Sequence, residues 1–98
     1  MSDTVRIVAI FQAKPGMEAE FTAGAIACIA PTRQEPGCSE YRLNRDRDDA
    51  SRLIFTETWA NAAAFDAHMA TPHLKTFLGV VERAAMEGFV IRRLEEIG

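Results

Sequence analysis

The sequence predicts an α+β fold of the ferredoxin-like type, in which helices cover one face of a four-stranded antiparallel sheet. Three observations lead to this prediction. Apolar and polar side chains alternate in several short segments, as they do in half-buried strands. Two longer segments carry apolar residues at helical spacing. The segments follow one another in the order β-α-β-β-α-β, which is the split βαβ arrangement.

The length and composition of the chain fit one domain with one modest core. Its 98 residues are 48% hydrophobic and 26% charged, as in average soluble globular proteins. We therefore expect a single domain over residues 1–98. The formal net charge is −3, and no run of lysine or arginine occurs. Since a nucleic-acid-binding surface is basic, we expect no nucleic-acid partner.

Neither a membrane segment nor an export signal is evident in the sequence. No apolar run reaches the roughly 18–20 residues that span a bilayer, and Met1-Ser2-Asp3-Thr4 lacks the features of a signal peptide. These observations predict a cytoplasmic protein with no membrane partner. Cys28 and Cys38 form no CxxC motif, so we expect free thiols rather than a zinc site or a disulfide.

In the first half of the chain, two predicted strands flank one predicted helix. These elements are a strand at Thr4–Ala13, a helix from Met17 to about Arg33 and a strand at Cys38–Asp46. Pro31 should kink or end the helix, because proline has no N–H and clashes with the preceding turn. Glu35-Pro36-Gly37 predicts a turn before the second strand.

The second half of the chain predicts a strand, two helical segments and a final strand. These elements are a strand at Arg52–Ala60, a helix from Ala62 to about Met69, a helix from Pro72 to about Ala85 and a strand at Gly88–Leu94. The charged loop 45–51 joins the second and third strands as a hairpin. Asn61 and Thr71 are suitable N-caps for the two helices, and Pro72 is favourable at the first helical position.

The face of the sheet that the helices leave uncovered is unusually apolar. It carries Val8 and Ile10 on the first strand and Ile54 with Thr56 and Thr58 on the third. A water-facing surface would be more consistently charged. We therefore expect a homodimer, in which two such sheets pack face to face around a barrel-like core.

Standard motifs for nucleotides, metals and nucleophilic catalysis are absent. The sequence has no GxxxxGK[ST], GxGxxG, HExxH or GxSxG pattern. His68 and His73 are five residues apart with Pro72 between them, whereas two ligands on one helix are best placed at i and i+4. The spacing therefore argues against a di-histidine metal site, and we expect no metal.

Three residues are candidates for chemistry, each with a simpler interpretation. Glu57 is either a carboxylate exposed at the sheet edge and paired with an arginine, or a group that borders a ligand site. Trp59 is mainly a core residue, although its ring could also form a flat wall for an aromatic ligand. His68 lies near the edge of a buried stripe, so it is either a packing residue or a general base with a suitable pKa.

A combination of residues along the chain has the pattern of a known family. It consists of Glu35-Pro36-Gly37-Cys38 with Tyr41, of Glu57-x-Trp59, and of Ala64-Phe65-x-x-His68-x-x-x-x-His73 followed by Phe77. In this combination the chain resembles the antibiotic biosynthesis monooxygenase family, and most closely its small quinol monooxygenase-like proteins. The resemblance covers nearly the whole chain. It implies a dimeric α/β-barrel made of two ferredoxin-like domains.

The resemblance also implies an activity and roles for individual residues. A cavity between sheet and helices would bind a planar phenol, quinol or polyketide-derived aromatic. Molecular oxygen would oxygenate this substrate without flavin, haem or metal, because an electron-rich phenolate can itself reduce oxygen. His68 would be the base, Trp59 a stacking wall, Tyr41 and His73 hydrogen-bond partners, and Arg33 a partner for the anion; Glu57 is a further substrate-binding candidate.

Other activities of related proteins remain as alternatives. Haem-degrading members of the family require an iron-ligating histidine and a strand-one asparagine, whereas this chain has Leu78 and Ala9 at the corresponding positions. Haem degradation is therefore not expected. The remaining alternatives are an isomerase or signal-molecule-processing enzyme of the same fold, and a non-catalytic dimeric module that binds small molecules.

Overall fold

The computed structural model describes residues 3–98 and contains four strands and four helices in that range. Met1 and Ser2, which belong to the N-terminal segment considered for a signal peptide, lie outside the described residues. The elements are β1 Val5–Gln12, α1 Glu18–Ala27, α2 Ile29–Arg33, β2 Cys38–Arg45, β3 Arg52–Trp59, α3 Ala62–Met69, α4 Pro72–Ala84 and β4 Val90–Leu94. This succession confirms the predicted β-α-β-β-α-β fold.

The sheet is antiparallel throughout, with the strand order β2-β3-β1-β4. β1 and β3 are its central strands, so their side chains reach the middle of the face that the helices cover. Glu57 of β3 lies opposite Ile7 of β1 and opposite Tyr41 of β2. Because directly paired residues share a face of the sheet, this register sets Glu57 among core side chains.

The first helical region consists of two helices, so the interruption predicted from Pro31 is present but falls before the proline itself. α1 ends at Ala27, and α2 begins at Ile29. The cause is Pro31, whose ring would clash with the carbonyl group four residues earlier, at Ala27. The break therefore comes one turn before the proline. The short α2 then leads the chain into the turn that contains Glu35.

The second helical region also has two helices, with boundaries close to those predicted. The Asn61 side chain accepts a hydrogen bond from the backbone N–H of Ala64 at the start of α3. The Thr71 hydroxyl accepts one from the backbone N–H of Leu74 at the start of α4. These caps separate α3 from α4 within a few residues, so the chain changes direction between the two histidines.

A cluster of aromatic rings fills the space between sheet and helices. Phe11 of β1 is at its centre, with edge-to-face contacts to Phe21, Phe55 and Phe77 at centroid distances of 5.6–6.2 Å. All four rings are at least 97% buried. The helices are thereby fixed against the sheet on the side where the cavity described below is found.

Two further sequence predictions bear on the fold. Within residues 3–98, no helix has both the length and the apolar character that crossing a membrane requires. Cys28 is buried and Cys38 is half-buried, and both are free thiols, as predicted. β4 begins at Val90, two residues later than predicted, because Gly88 has a φ of +88° that does not fit a strand.

Candidate functional site

A small cavity lies between the sheet and helices α3 and α4. Its walls are mostly apolar, and its ionisable lining residues within the described chain are Tyr41, Glu57 and His68. The free volume is about 30 Å³, which holds one or two water molecules. Met69 and Leu78 also line the cavity, and Met69 is 38% exposed. A planar aromatic ligand would fit only if such flexible side chains moved outward.

His68 is buried in the wall of this cavity. Its side chain is 2% exposed, and its Nδ1 lies 2.7 Å from Oε2 of Glu35. The expectation that His68 lies at the edge of the buried stripe is wrong. α3 buries His68 together with Phe65, three residues earlier, and leaves Met69 partly exposed. His68 is therefore on the covered face of the helix.

The protonation state of His68 follows from this burial. Loss of solvation lowers the pKa of His68 below its ordinary value of 6.5, while the hydrogen bond to Glu35 acts in the opposite direction. The imidazole is thus neutral near pH 7. A neutral ring that donates its Nδ1–H to the carboxylate has an unprotonated Nε2. Nε2 is therefore the nitrogen of His68 that remains available to a ligand in the cavity.

Glu35 joins His68 to His73. The same oxygen, Oε2, lies 2.6 Å from Nε2 of His73, which is in the first turn of α4. The spacing rule used above applies to two ligands on one helix, whereas His68 and His73 are on two helices separated by the N-cap at Thr71. The two imidazoles therefore converge, with ring centroids 6.2 Å apart. Sequence reasoning did not select Glu35 as a site residue.

The turn that carries Glu35 is packed tightly against α3. Gly37 has a φ of +85°, and a Cβ atom built there would lie 2.8 Å from Cβ of Ala64. Only glycine tolerates both the backbone conformation and this close approach. The Gly37 carbonyl also accepts a hydrogen bond from the backbone N–H of Ala60 at 2.8 Å. These contacts hold Glu35 close to the imidazole of His68.

Glu57 is the second polar group of the cavity. Its side chain is buried, at 5% exposure, so the expectation of an edge carboxylate paired with an arginine is wrong. The reason is that β3 is a central strand and Glu57 is on its covered face. Nε1–H of Trp59 donates a hydrogen bond to Oε1 of Glu57 at 2.9 Å. Burial raises the pKa of Glu57 from 4.5 to about 7, against the effect of this hydrogen bond.

The other predicted site residues lie at different distances from the cavity. Tyr41 lines the cavity. Its hydroxyl group donates a hydrogen bond to Sγ of Cys28 at 3.9 Å, so the aromatic ring is the part of Tyr41 available to a ligand. Burial raises the pKa of Tyr41, so the hydroxyl stays neutral. Trp59 is fully buried and packs behind His68, with ring centroids 4.7 Å apart. Arg33 lies outside, where its Nε donates to the backbone carbonyl of Tyr41 at 3.1 Å.

Together, the fold and the cavity define a ferredoxin-like domain with a histidine and a glutamate between sheet and helices. The family model described as "Antibiotic biosynthesis monooxygenase" matches residues 4–80. This range is more than half of the chain. The chain therefore belongs to the antibiotic biosynthesis monooxygenase family.

The chain is also similar to solved structures and to a curated relative. PA3566 from Pseudomonas aeruginosa is 30% identical, with a TM-score of 0.92 over 100% of this chain and 98% of that one. SO0527 from Shewanella oneidensis is also 30% identical, with a TM-score of 0.90 over 96% and 91% of the two chains. An uncharacterised Synechocystis protein, sll1783, is 34% identical over 76 residues, or 78% of this chain. The chain spans about half of that relative, 52% of its length.

The raised pKa of Glu57 predicts a pH-dependent stability. The folded-state pKa of about 7 lies above the ordinary value of 4.5, so the folded protein holds this proton more tightly than the unfolded chain. The resulting stabilisation is complete below pH 4.5 and is lost as the pH rises through 7. A shift of this size is worth about 3 kcal/mol. Glu57→Gln should abolish this loss, because the amide cannot ionise and its oxygen can still accept from Trp59.

The measurement is the free energy of urea unfolding of the wild type and of Glu57→Gln between pH 4.5 and pH 8.5. The difference between the two proteins should shift in favour of the variant by about 2–3 kcal/mol across this range. Asp66→Asn, at an exposed carboxylate on α3, is the control and should show no such trend. A difference that stays constant with pH would mean that Glu57 ionises as an ordinary carboxylate.

Proposed function

We propose that this protein is a cofactor-independent monooxygenase that acts with molecular oxygen on a small aromatic substrate such as a quinol. The observation that carries this proposal is the imidazole of His68 in the wall of an apolar cavity, with Oε2 of Glu35 2.7 Å from its Nδ1. Membership of the antibiotic biosynthesis monooxygenase family supports the reaction class. The substrate class is the one that the family resemblance implies, and the apolar, partly aromatic walls of the cavity support it.

His68 is the proposed base. Its Nε2 takes the proton of a phenolic hydroxyl group, and the positive charge that forms on the ring is stabilised by the carboxylate of Glu35, 2.7 Å from Nδ1. The resulting phenolate is electron-rich and transfers electrons to molecular oxygen. The quinol supplies all four electrons: one oxygen atom enters the ring, which leaves as a hydroxyquinone, and the other oxygen atom takes up two protons and leaves as water. The protein thus binds, deprotonates and orients the substrate.

Glu57 is the proposed partner for a second oxygen of the substrate. With a pKa of about 7, a large share of the side chain is a neutral carboxylic acid at pH 7, and this form can donate a hydrogen bond. Glu57 and His68 line the same cavity. A hydrogen bond from Glu57 to the second oxygen of a quinol would favour this substrate over an aromatic hydrocarbon, which has no oxygen. The rings of Tyr41 and Phe55, 5.1 Å apart, would contact the flat face of the substrate.

The composition of the cavity wall bears on two other activities found in related proteins. The described residues that line the cavity include no lysine or arginine, so the phosphorylated substrate of a signal-processing enzyme would have no cationic partner there. Ala9 and Leu78, at the positions considered for haem degradation, both line the cavity. Neither side chain can ligate iron.

The uncovered face of the sheet supports a proposed homodimer. Val8 pairs with Thr56, and Ile10 pairs with both Ile54 and Val90 across neighbouring strands. These half-buried side chains form a mostly apolar patch on the face opposite the helices, bordered by Arg92 beside Val8 and by Arg42 beside Thr56. Such a patch is typical of an interface, and a second copy of the same sheet has a matching surface.

Replacement of His68 tests the proposed base. Because His68 is buried, His68→Ala would also create a cavity and leave Glu35 with one fewer partner, so His68→Gln is the better variant. We expect it to slow oxygen uptake with a reduced naphthoquinol by about 10²–10⁴-fold. Glu35→Gln should lower the rate less, by about 10–10²-fold, because it affects only the orientation and charge stabilisation of the ring.

The assay uses an oxygen electrode, with thermal unfolding of each variant measured alongside. Asp66→Asn on the exposed side of α3 is the control and should retain wild-type turnover. Full turnover by a folded His68→Gln protein would remove His68 from the mechanism. A wild type that shows no oxygen uptake above the spontaneous rate, with any quinol tried, would contradict the proposed activity as a whole.

The dimer has its own test. Ile54→Glu places a charge in the centre of the uncovered face, where two copies would bury it. In light scattering at micromolar concentration, the wild type should have twice the chain mass of 10.8 kDa, and Ile54→Glu should have the mass of the monomer. A wild type of monomeric mass would contradict the dimer.

A further inference from the structure

Glu35, His68 and His73 bring three metal-ligating atoms together from three separate elements. Oε2 of Glu35, Nδ1 of His68 and Nε2 of His73 all lie within 4.8 Å of one another. The side chains of Glu35, His68 and His73 are 10%, 2% and 23% exposed, respectively. The cluster is thus enclosed on the side of His68 and accessible from the side of His73.

The partners of the Glu35 carboxylate bear on what this cluster can bind. Among the described residues, the ion-pair partners of Glu35 are its two histidines, with no lysine or arginine within 4 Å of the carboxylate. A mostly buried carboxylate is normally paired with a cation or coordinated to a metal. The cluster therefore brings one carboxylate oxygen and two imidazole nitrogens, all possible metal ligands, to a carboxylate that has no lysine or arginine partner among the described residues.

The donor set indicates which cation fits. Ca²⁺ and Mg²⁺ prefer sites made mostly of oxygen ligands, whereas two imidazoles and one carboxylate suit Zn²⁺, Co²⁺ or Ni²⁺. Bond lengths near 2.0–2.2 Å would place neighbouring ligand atoms roughly 3.0–3.5 Å apart. The hydrogen-bonded atoms, at 2.6 and 2.7 Å, would need to separate by less than about 1 Å. The partly exposed His73 leaves room for water as a further ligand.

We propose that Glu35, His68 and His73 form a binding site for a divalent first-row transition metal ion such as Zn²⁺, and that the bound ion inhibits the protein. The inhibition rests on the function proposed above. An ion on Nδ1 of His68 leaves the ring proton on Nε2, the nitrogen that acts as the base in the function proposed above. His68 can then donate a proton there but cannot accept one, so metal binding and base catalysis exclude each other.

The binding test uses Co²⁺ alone as the probe, added to protein that has been stripped with a chelator and dialysed. We expect the wild type to give visible absorption bands that saturate at one ion per chain and disappear when Zn²⁺ is added. Glu35→Gln and His73→Ala should each weaken binding by more than about 10-fold. Asp66→Asn, which removes an exposed carboxylate on α3, should bind like the wild type.

Wild-type protein that binds Co²⁺ no more tightly than His73→Ala would overturn the metal site and leave a hydrogen-bonded cluster only. This outcome does not depend on catalysis, because no substrate is present. Stoichiometric Zn²⁺ should in addition abolish oxygen uptake by the stripped wild type. If the protein binds Zn²⁺ and still turns over at the full rate, the proposed inhibition is wrong, whereas inactive stripped protein contradicts only the proposed function.

Discussion

One carboxylate oxygen, Oε2 of Glu35, organises the polar part of this molecule. It lies within 2.7 Å of an imidazole nitrogen on each of two helices, and these helices have separate caps and therefore separate directions. Without this oxygen, Nδ1 of buried His68 would lack its hydrogen-bond partner, at a cost of about 1–3 kcal/mol. The position of α3, the tautomer of His68 and the proposed chemistry of the cavity all depend on this contact.

A second constraint is the need to satisfy polar groups inside an aromatic core. Glu57 and Trp59 are on the same face of β3, and the indole N–H donates to the carboxylate, so each buried polar group has its partner on the same strand. This pairing only partly compensates for the loss of solvation, since the pKa of Glu57 remains raised to about 7. Retention of an acid at the centre of a sheet costs stability, which is typical of positions kept for function.

The fold was largely predictable from the sequence, because each element has local causes. Alternation in the strands, the N-caps at Asn61 and Thr71 and the turn at Gly37 are short-range signals, and the structure confirms the elements that they predict. The position at which the first helical region divides was harder to predict. Pro31 predicted a kink, but its steric effect falls on the carbonyl of Ala27, one turn earlier.

The site was less predictable, because its geometry depends on contacts between residues distant in sequence. The sequence singled out Glu57-x-Trp59, His68 and His73, and the structure brings these residues into one contiguous group. Burial of His68 and Glu57 could not be read from local pattern, since it depends on the rotation of α3 and on the central place of β3 in the sheet. Glu35 is 33 residues from His68 in sequence, and its only local signal was its place before Pro36-Gly37.

The tautomer of His68 is the most direct test of this account. Protein labelled with ¹⁵N in histidine and freed of metal would be examined by NMR correlation spectra of the imidazole nitrogens near pH 7. The account predicts a neutral His68 ring with the proton on Nδ1, toward Glu35, and an unprotonated Nε2 that can act as the base. A ring protonated on Nε2, or on both nitrogens, would contradict it.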